Sequence, residues 1–256
     1  MTSTWDPRQY LRFADERLRP AMELMARIPS ENPAVVCDLG CGTGNVTRLL
    51  AQRWPEALVT GIDSSPEMLA QATQGGDGIL WRQADIQDWR PETRPDLIFS
   101  NAALHWLDDH GTLFPRLVES LAPRGILAVQ MPRNFEAPSH TAIAWTVRSG
   151  PWKDKLLPLL RSVPVADPPF YYDLLAPLTR KLDIWETVYL QVFEGADPVV
   201  EWVRGTALRP FLAALEDGMR DDFLAAYGER VRANYPRRPD GTTLYPMRRQ
   251  FLVAAR

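Results

Sequence analysis

The sequence predicts an α/β protein built on a seven-stranded, mostly parallel sheet with helices on both faces. Three observations carry that prediction. Short apolar runs of strand length alternate with stretches of helical periodicity from residue 34 to residue 130. Their connections are short, which is the pattern of a parallel sheet covered on both faces. A glycine-rich turn, Gly40 to Gly44, stands where the first of these strands gives way to the first of these helices. After Met131-Pro132 the pattern changes, and proline- and aromatic-rich helical stretches interrupt two further strand-like runs.

Taken in order, residues 7–28 carry Tyr10, Leu11, Phe13, Leu18, Met22, Leu24, Met25 and Ile28 at near-helical spacing, with Pro20 as a break or kink. They read as a lid helix within residues 1–29. Pro29 and Pro33 punctuate a turn. The core, 30–132, then runs strand 34–38, helix 46–54 stopped by Pro55, strand 58–63, and a helix opened by Ser65-Pro66. Proline suits that first turn because the N–H it lacks would have no partner there. Strands at 79–85, 96–101 and 125–130 and a helix at 113–121 complete the core. Residues 184–193 and 244–254 read as the last two strands, and 133–182 and 195–243 as helical insertions. These insertions are expected to form a cap within a single domain spanning 1–256.

Composition bounds the function. The chain has 256 residues, 45% hydrophobic and 24% charged, with a formal net charge of -3. That balance argues against a nucleic-acid partner, which calls for a basic face. Two cysteines, Cys37 and Cys41, are spaced C-x-x-x-C with no second pair and no nearby histidine. A zinc site is therefore not expected, nor a disulfide framework. The N-terminus has no apolar signal-peptide core, and no apolar run reaches the roughly 18 residues of a membrane helix. A cytoplasmic address without membrane attachment is expected. Oligomeric state is not legible.

The most informative segment is Val35-Val-Cys-Asp-Leu-Gly-Cys-Gly-Thr-Gly44. Ligands of open α/β sheets bind outside the carboxyl ends of the strands, where glycine permits close backbone approach. A dinucleotide site needs G-x-G-x-x-G facing a pyrophosphate. Here Gly40, Gly42 and Gly44 give G-x-G-x-G, and Asp38 would disfavour a pyrophosphate. Asp38 suits instead the amino group and sulfonium region of S-adenosylmethionine. The D-x-G-x-G-x-G pattern resembles the first motif of the class I methyltransferases, a Rossmann-like superfamily.

That resemblance extends along the sheet edge. Asp63 ends the second strand, where the superfamily's acid accepts hydrogen bonds from the ribose hydroxyls. Ser64 to Met68 match the segment that follows, with Met68 against adenine. Asp85 and Ile86 match the position that receives the adenine amino group. Asn101, Ala102 and Trp106, in Ser100-Asn-Ala-Ala-Leu-His-Trp106, match the segment lining the methyl-transfer pocket. Each acid has a plainer reading by itself: Asp38 as a turn residue, Asp63 as a helix cap, Asp85 as a solvated turn residue. Their joint placement at successive strand ends is what favours the cofactor.

The resemblance narrows on three further segments. Trp5, Pro7, Tyr10 and Phe13, then Trp202, Thr206, Arg209 and Pro210, then Pro246, Arg248, Arg249, Phe251 and Arg256 resemble the trans-aconitate 2-methyltransferase family over essentially the whole chain. The resemblance implies a small polycarboxylate as acceptor. A carboxylate is already ionised near neutral pH, so in-line methyl transfer to it needs no general base, and no catalytic residue is assigned. Alignment and desolvation would do the work. Arginines suit such a substrate because guanidinium binds carboxylates bidentately. Tyr10, Phe13, Tyr172, Trp202, Arg209 and Arg249 are the substrate-binding candidates, Arg209 because Leu208, Phe211 and Leu212 surround it in sequence. Strand alternation allows only one of Arg248 and Arg249 to face inward. His105 is read as a packing residue. Other acceptors, such as a malonyl group on a carrier protein, remain open, as does a non-catalytic module that only binds the cofactor.

Overall fold

A computed structural model describes residues 18–30, 32–76, 78–161, 163 and 165–256. It contains one seven-stranded sheet in the order β3-β2-β1-β4-β5-β7-β6. The strands are β1 (Val35–Leu39), β2 (Leu58–Asp63), β3 (Leu80–Gln83), β4 (Leu97–Asn101), β5 (Ile126–Pro132), β6 (Lys181–Phe193) and β7 (Thr243–Ala255). β1 pairs in parallel with both β2 and β4, β2 with β3, and β4 with β5. β7 runs antiparallel to β5, with Gln130 opposite Phe251 and Met131 opposite Gln250. The expected seven strands and their mostly parallel arrangement are present. β3 is shorter than the expected 79–85, because Ala84 and Asp85 leave the ladder to begin a turn whose N–H groups at Asp88 and Trp89 return to the Asp85 carbonyl.

The order 3-2-1-4-5 makes successive strands move outward in opposite directions from β1. The gap above β1 and β4 is therefore the switch point at which open α/β sheets bind ligands. The residues of β1 and β4 are mostly apolar, because both strands are interior, and turn polar towards their carboxyl ends. Val36, Leu39, Leu97, Ile98 and Phe99 are fully buried. Burying such a side chain stabilises the fold by about 1.5–3 kcal/mol.

By compactness the chain divides into two units. The first comprises the described residues of Met1–Pro132, Pro164–Thr187 and Arg249–Arg256. The second comprises those of Arg133–Val163 and Val188–Arg248. In the first, helices α1 (Arg19–Ala26), α2 (Asn45–Arg53), α3 (Pro66–Ala72) and α4 (His110–Ser120) accompany the sheet. Pro20 stands in the first turn of α1 rather than kinking it, consistent with the ring's tolerance there. Arg53 donates to the carbonyls of Met25 and Ile28, so α2 ties down the end of α1 and the turn that follows it. Glu23 of α1 accepts from Trp185 Nε1 and Thr187 Oγ1 of β6 at 3.1 and 2.8 Å.

The second unit is organised by α5 (Pro138–Ser149), α6 (Lys153–Leu156), α8 (Pro198–Arg204), α9 (Arg209–Ala213) and α10 (Asp217–Asn234); α7 (Pro168–Leu175) belongs to the first unit. Its core is tied by tyrosines around Ser139. Tyr227 donates to the Ser139 carbonyl at 2.9 Å, and Tyr245 Oη lies 3.0 Å from Ser139 Oγ. No helix among the described residues is long and apolar enough to cross a membrane.

Candidate active site

The site is built on the first unit, from the loops that leave β1, β2, β3 and β4. Gly40 and Gly44 have φ of 75° and 81°, in the left-handed region that side chains disfavour. Space restricts them as well. A Cβ on Gly40 would lie 2.1 Å from the Ala103 Cβ, and one on Gly44 would lie 2.4 Å from the Trp81 ring. The loop is fixed from below, since the N–H groups of Gly40 and Cys41 both donate to the Ile62 carbonyl at 2.8 and 3.0 Å. Cys37 and Cys41 are buried free thiols. Burial, with Asp38 beside it, pushes the Cys37 thiol up to about 12, and burial raises Cys41 in the same direction.

Asp38 is 2% exposed and accepts the Thr47 hydroxyl proton at 2.6 Å. Burial is the largest influence on it and lifts its pKa from 3.8 to about 7. The Thr47 hydrogen bond opposes that rise, and the nearby charge of Asp63 adds to it. Loss of hydration is the reason: a carboxylate taken from water with one hydroxyl partner is poorly compensated. A cation or ammonium placed near it would reverse the shift.

Asp63 is arranged differently. Its Oδ2 accepts from the Gly42 N–H at 2.8 Å and its Oδ1 from the Ser65 N–H at 2.9 Å. Each carboxylate oxygen can accept a further bond, so the group is oriented without being saturated. Ser65 caps α3 by accepting from the Met68 N–H at 3.2 Å. Ser64 and Met68 are exposed beside it, Met68 to 43%. Asp85 is exposed and accepts from the Gln87 N–H at 2.9 Å, and Ile86 is buried next to the Gly40 position. The plainer reading of Asp85 as an exposed turn residue is realised, whereas the cap read for Asp63 falls to Ser65; Asp63 and Asp85 both order a turn, with acceptor capacity to spare.

At the end of β4, Asn101 has a buried Oδ1 that meets no hydrogen-bond partner among the described residues. Ala102 follows with φ of 54°, an alanine in a region that favours glycine. Its N–H donates to the Gln130 carbonyl at 3.0 Å. Trp106 is 62% exposed, and His105 is buried with its ring 4.7 Å from the Trp106 ring. The turn is held by a residue that sequence reasoning passed over. His110 lies buried with Nδ1 2.7 Å from Tyr171 Oη and Nε2 3.0 Å from the Leu104 carbonyl. Burial lowers its pKa, and the two partners fit a neutral ring donating from Nε2 to the carbonyl and accepting at Nδ1 from Tyr171.

The cofactor candidates Asp38, Gly40, Gly42, Gly44, Asp63, Ser64, Met68, Asp85, Ile86, Asn101, Ala102 and Trp106 all lie at or just beyond the carboxyl ends of β1–β4. The substrate candidates are more dispersed. Arg249 is half-buried and pairs with Pro132 across the β5–β7 ladder, whereas Arg248 is exposed. Tyr172 is 57% exposed, while its neighbour Tyr171 is the buried partner of His110. Trp202 and Arg209 belong to the second unit, Trp202 against Phe193 with ring centroids 5.4 Å apart. Leu208, Phe211 and Leu212 are buried while Arg209 is exposed at the start of α9, so its apolar neighbours turn away from it. Tyr10 and Phe13 lie outside the described residues. The second unit also holds a cavity of about 130 Å³ lined by Asp197, Arg232, Tyr235 and Arg237 among others, which contains none of the candidates.

A buried carboxylate, an oriented carboxylate, a buried amide oxygen and a glycine loop crowded at Gly40 and Gly44 suit a cationic nucleoside that donates hydrogen bonds and carries no phosphate. Comparison with known proteins agrees. Residues 36–125 match the model of a family described as "Methyltransferase domain". A protein of Azoarcus sp. (strain BH72) named trans-aconitate 2-methyltransferase is 50% identical over 253 residues, covering 99% of each chain. One of the same name from Streptomyces avermitilis is 46% identical, covering 98% of this chain and 96% of its own. Among solved structures, the YcgJ protein of Bacillus subtilis aligns with a TM-score of 0.59 at 12% identity, covering 92% and 97% of the two chains. An S-adenosylmethionine-dependent methyltransferase of Mesorhizobium loti aligns at 0.52 and 22% identity, covering 96% and 100%. These structural likenesses establish the shared fold.

Proposed function

Because the chain belongs to the trans-aconitate 2-methyltransferase family, we propose that it esterifies one carboxylate of trans-aconitate, or of a closely related small polycarboxylate, at the expense of S-adenosylmethionine. The observation that carries the reading is the row of acids at neighbouring strand ends, Asp38 buried and Asp63 oriented, in a chain half identical to a relative of that name. When bound, S-adenosylmethionine supplies an electrophilic sulfonium methyl group.

The chain's own residues divide the remaining work. Asp63 accepts from the ribose hydroxyls with the lone pairs that Gly42 and Ser65 leave over. Asp85, Ile86 and Met68 serve the adenine end. Asp38, with the Gly40–Gly44 loop and Asn101, serves the positively charged amino-acid end. Ala102 and Trp106 line the approach of the acceptor. The acceptor carboxylate is anionic near neutral pH, so no side chain has to remove a proton, and His105 needs no acid–base role. Rate then comes from holding the nucleophile in line and stripping water from it. Arg249 is the guanidinium assigned to a second carboxylate, and Tyr10, Phe13, Tyr172, Trp202 and Arg209 belong to the acceptor set on the family resemblance. A small-molecule partner and a cytoplasmic address go with the same reading, and the net charge of -3 argues against a nucleic-acid partner.

The test is direct. Purified protein with labelled S-adenosylmethionine and trans-aconitate is expected to yield a methyl ester. No ester above background would defeat the substrate assignment. Arg249→Ala is expected to raise the acceptor KM while leaving cofactor affinity within about twofold, since removing a charged hydrogen-bond donor costs about 1.5–3 kcal/mol only for the ligand it serves.

A further inference from the structure

We propose that Gln130 is a carboxylate-binding residue at the methyl-transfer end of the site, its side-chain amide N–H donating to a carboxylate oxygen of a bound ligand. The idea rests on the methyltransferase reading above and adds to it a residue from β5, a strand to which no role has been given.

Three observations converge on Gln130. It is the one amide in the otherwise apolar strand Ile126–Pro132, and it is 1% exposed. Its Nε2 meets no hydrogen-bond partner among the described residues, an unusual state for a buried donor. In the parallel ladder it stands beside Asn101, whose Oδ1 is likewise buried and without a partner among the described residues. Directly paired residues of neighbouring strands project to the same face of a sheet. A donor and an acceptor therefore stand side by side near adjacent strand ends, each without a partner among the described residues. The backbone joins them as well, for the Gln130 carbonyl receives the N–H of Ala102, the alanine held at positive φ. Ala103, next in sequence, closes on Gly40. The pair thus borders the glycine loop, on the side where ligands of open α/β sheets bind.

The chemistry of the pair selects its ligand. Asn101 Oδ1 calls for a donor and suits an ammonium. Gln130 Nε2 calls for an acceptor and suits a carboxylate. Two carboxylates reach this end of the site in a methyl transfer of this class: that of the cofactor's amino-acid moiety and that of the acceptor. Gln250, the other buried glutamine with a partnerless amide among the described residues, is a natural control. It is adjacent to Phe251, the ladder partner of Gln130, so it projects to the opposite face.

The experiment compares Gln130→Met, Gln130→Glu and Gln250→Met with the parent protein. Calorimetry gives the Kd for S-adenosylhomocysteine, steady-state kinetics give the acceptor KM, and thermal melting checks folding. Gln130→Met keeps length and apolar packing but removes the donor. It is expected to raise one constant at least tenfold: Kd if the cofactor's carboxylate is the ligand, KM if the acceptor's is. Gln130→Glu keeps the shape and replaces the donor by an acceptor, so it is expected to raise the same constant at least as much. The effect should shrink as pH falls and the new carboxyl is protonated. Gln250→Met is expected to leave both constants within twofold. If either folded Gln130 variant matches the parent in both Kd and KM, the proposal is overturned. If the parent itself binds no S-adenosylhomocysteine, it is the methyltransferase reading that fails.

Discussion

β1 carries an aspartate one residue before its end and β2 ends in one, and the two are prepared in opposite ways. Asp38 is sunk to 2% exposure with one hydroxyl partner, and burial lifts its pKa to about 7. Asp63, half-buried, has each oxygen fixed by a backbone N–H. The first is a carboxylate whose charge depends on what is bound beside it. The second is a rigid acceptor whatever is bound. One residue type near the ends of adjacent strands, offset by two residues in the ladder, therefore does two jobs, and the difference comes from hydration and backbone geometry.

The largest effect should come from breaking the rigid tip. Asp63→Ala removes the proposed ribose acceptor and leaves the Gly42 and Ser65 N–H groups without that carboxylate. Unmade hydrogen bonds of this kind cost about 1–3 kcal/mol, or roughly 5- to 150-fold in cofactor Kd. Calorimetry with S-adenosylhomocysteine checks this; an unchanged Kd would remove Asp63 from the site.

The buried tip should reveal itself through pH. Its folded-state pKa is raised, so the neutral form stabilises the unliganded protein fully below about pH 4 and that contribution is lost as pH rises through about 7. Binding a cation favours the ionised form, so affinity for S-adenosylmethionine should climb by up to about tenfold per pH unit below 7 and level off above it. Asp38→Asn should bind weakly with no such climb, and should melt higher than the parent at pH 8 because it carries no buried charge. A parent-like climb in the Asn variant would assign the titration to another group.

The smallest effect sharpens the same contrast. Thr47→Val deletes the one hydrogen bond that lowers the Asp38 pKa, so the midpoint of the climb should move to higher pH, by less than about one unit. Titration of cofactor affinity across pH 6 to 9 checks this. A shift to lower pH would contradict the account.

Much of the first tip was legible because its chemistry is local. Asp38 and three alternating glycines are contiguous in sequence, and the period of apolar runs sets the strands on either side. What depends on packing was not legible. Nothing in the helix Asn45–Arg53 marks Thr47 as the partner of Asp38, because that bond exists only once α2 lies against the sheet. The surroundings of Arg209 were not legible for the same reason: Leu208, Phe211 and Leu212 adjoin it in sequence, yet a helix sends them inward and leaves the arginine exposed. Pro20 opens α1 instead of bending it. Tyr171 and Tyr172 look alike in the sequence, and only the fold separates the buried partner of His110 from its exposed neighbour. Gln130 did carry a signal, a lone amide in an apolar strand, but its meaning required the register that sets it beside Asn101.

Acidic strand tips, one of them partly protonated near neutral pH until its ligand arrives, create a seat for a cationic nucleoside. Calorimetric titration of S-adenosylmethionine at pH 6.5, repeated in buffers of different ionisation enthalpy, measures this as protons exchanged per binding event. The account predicts a net release of protons that fades above about pH 8 and disappears in Asp38→Asn. Binding with no proton release at pH 6.5, and with the same affinity from pH 6 to 9, would contradict it.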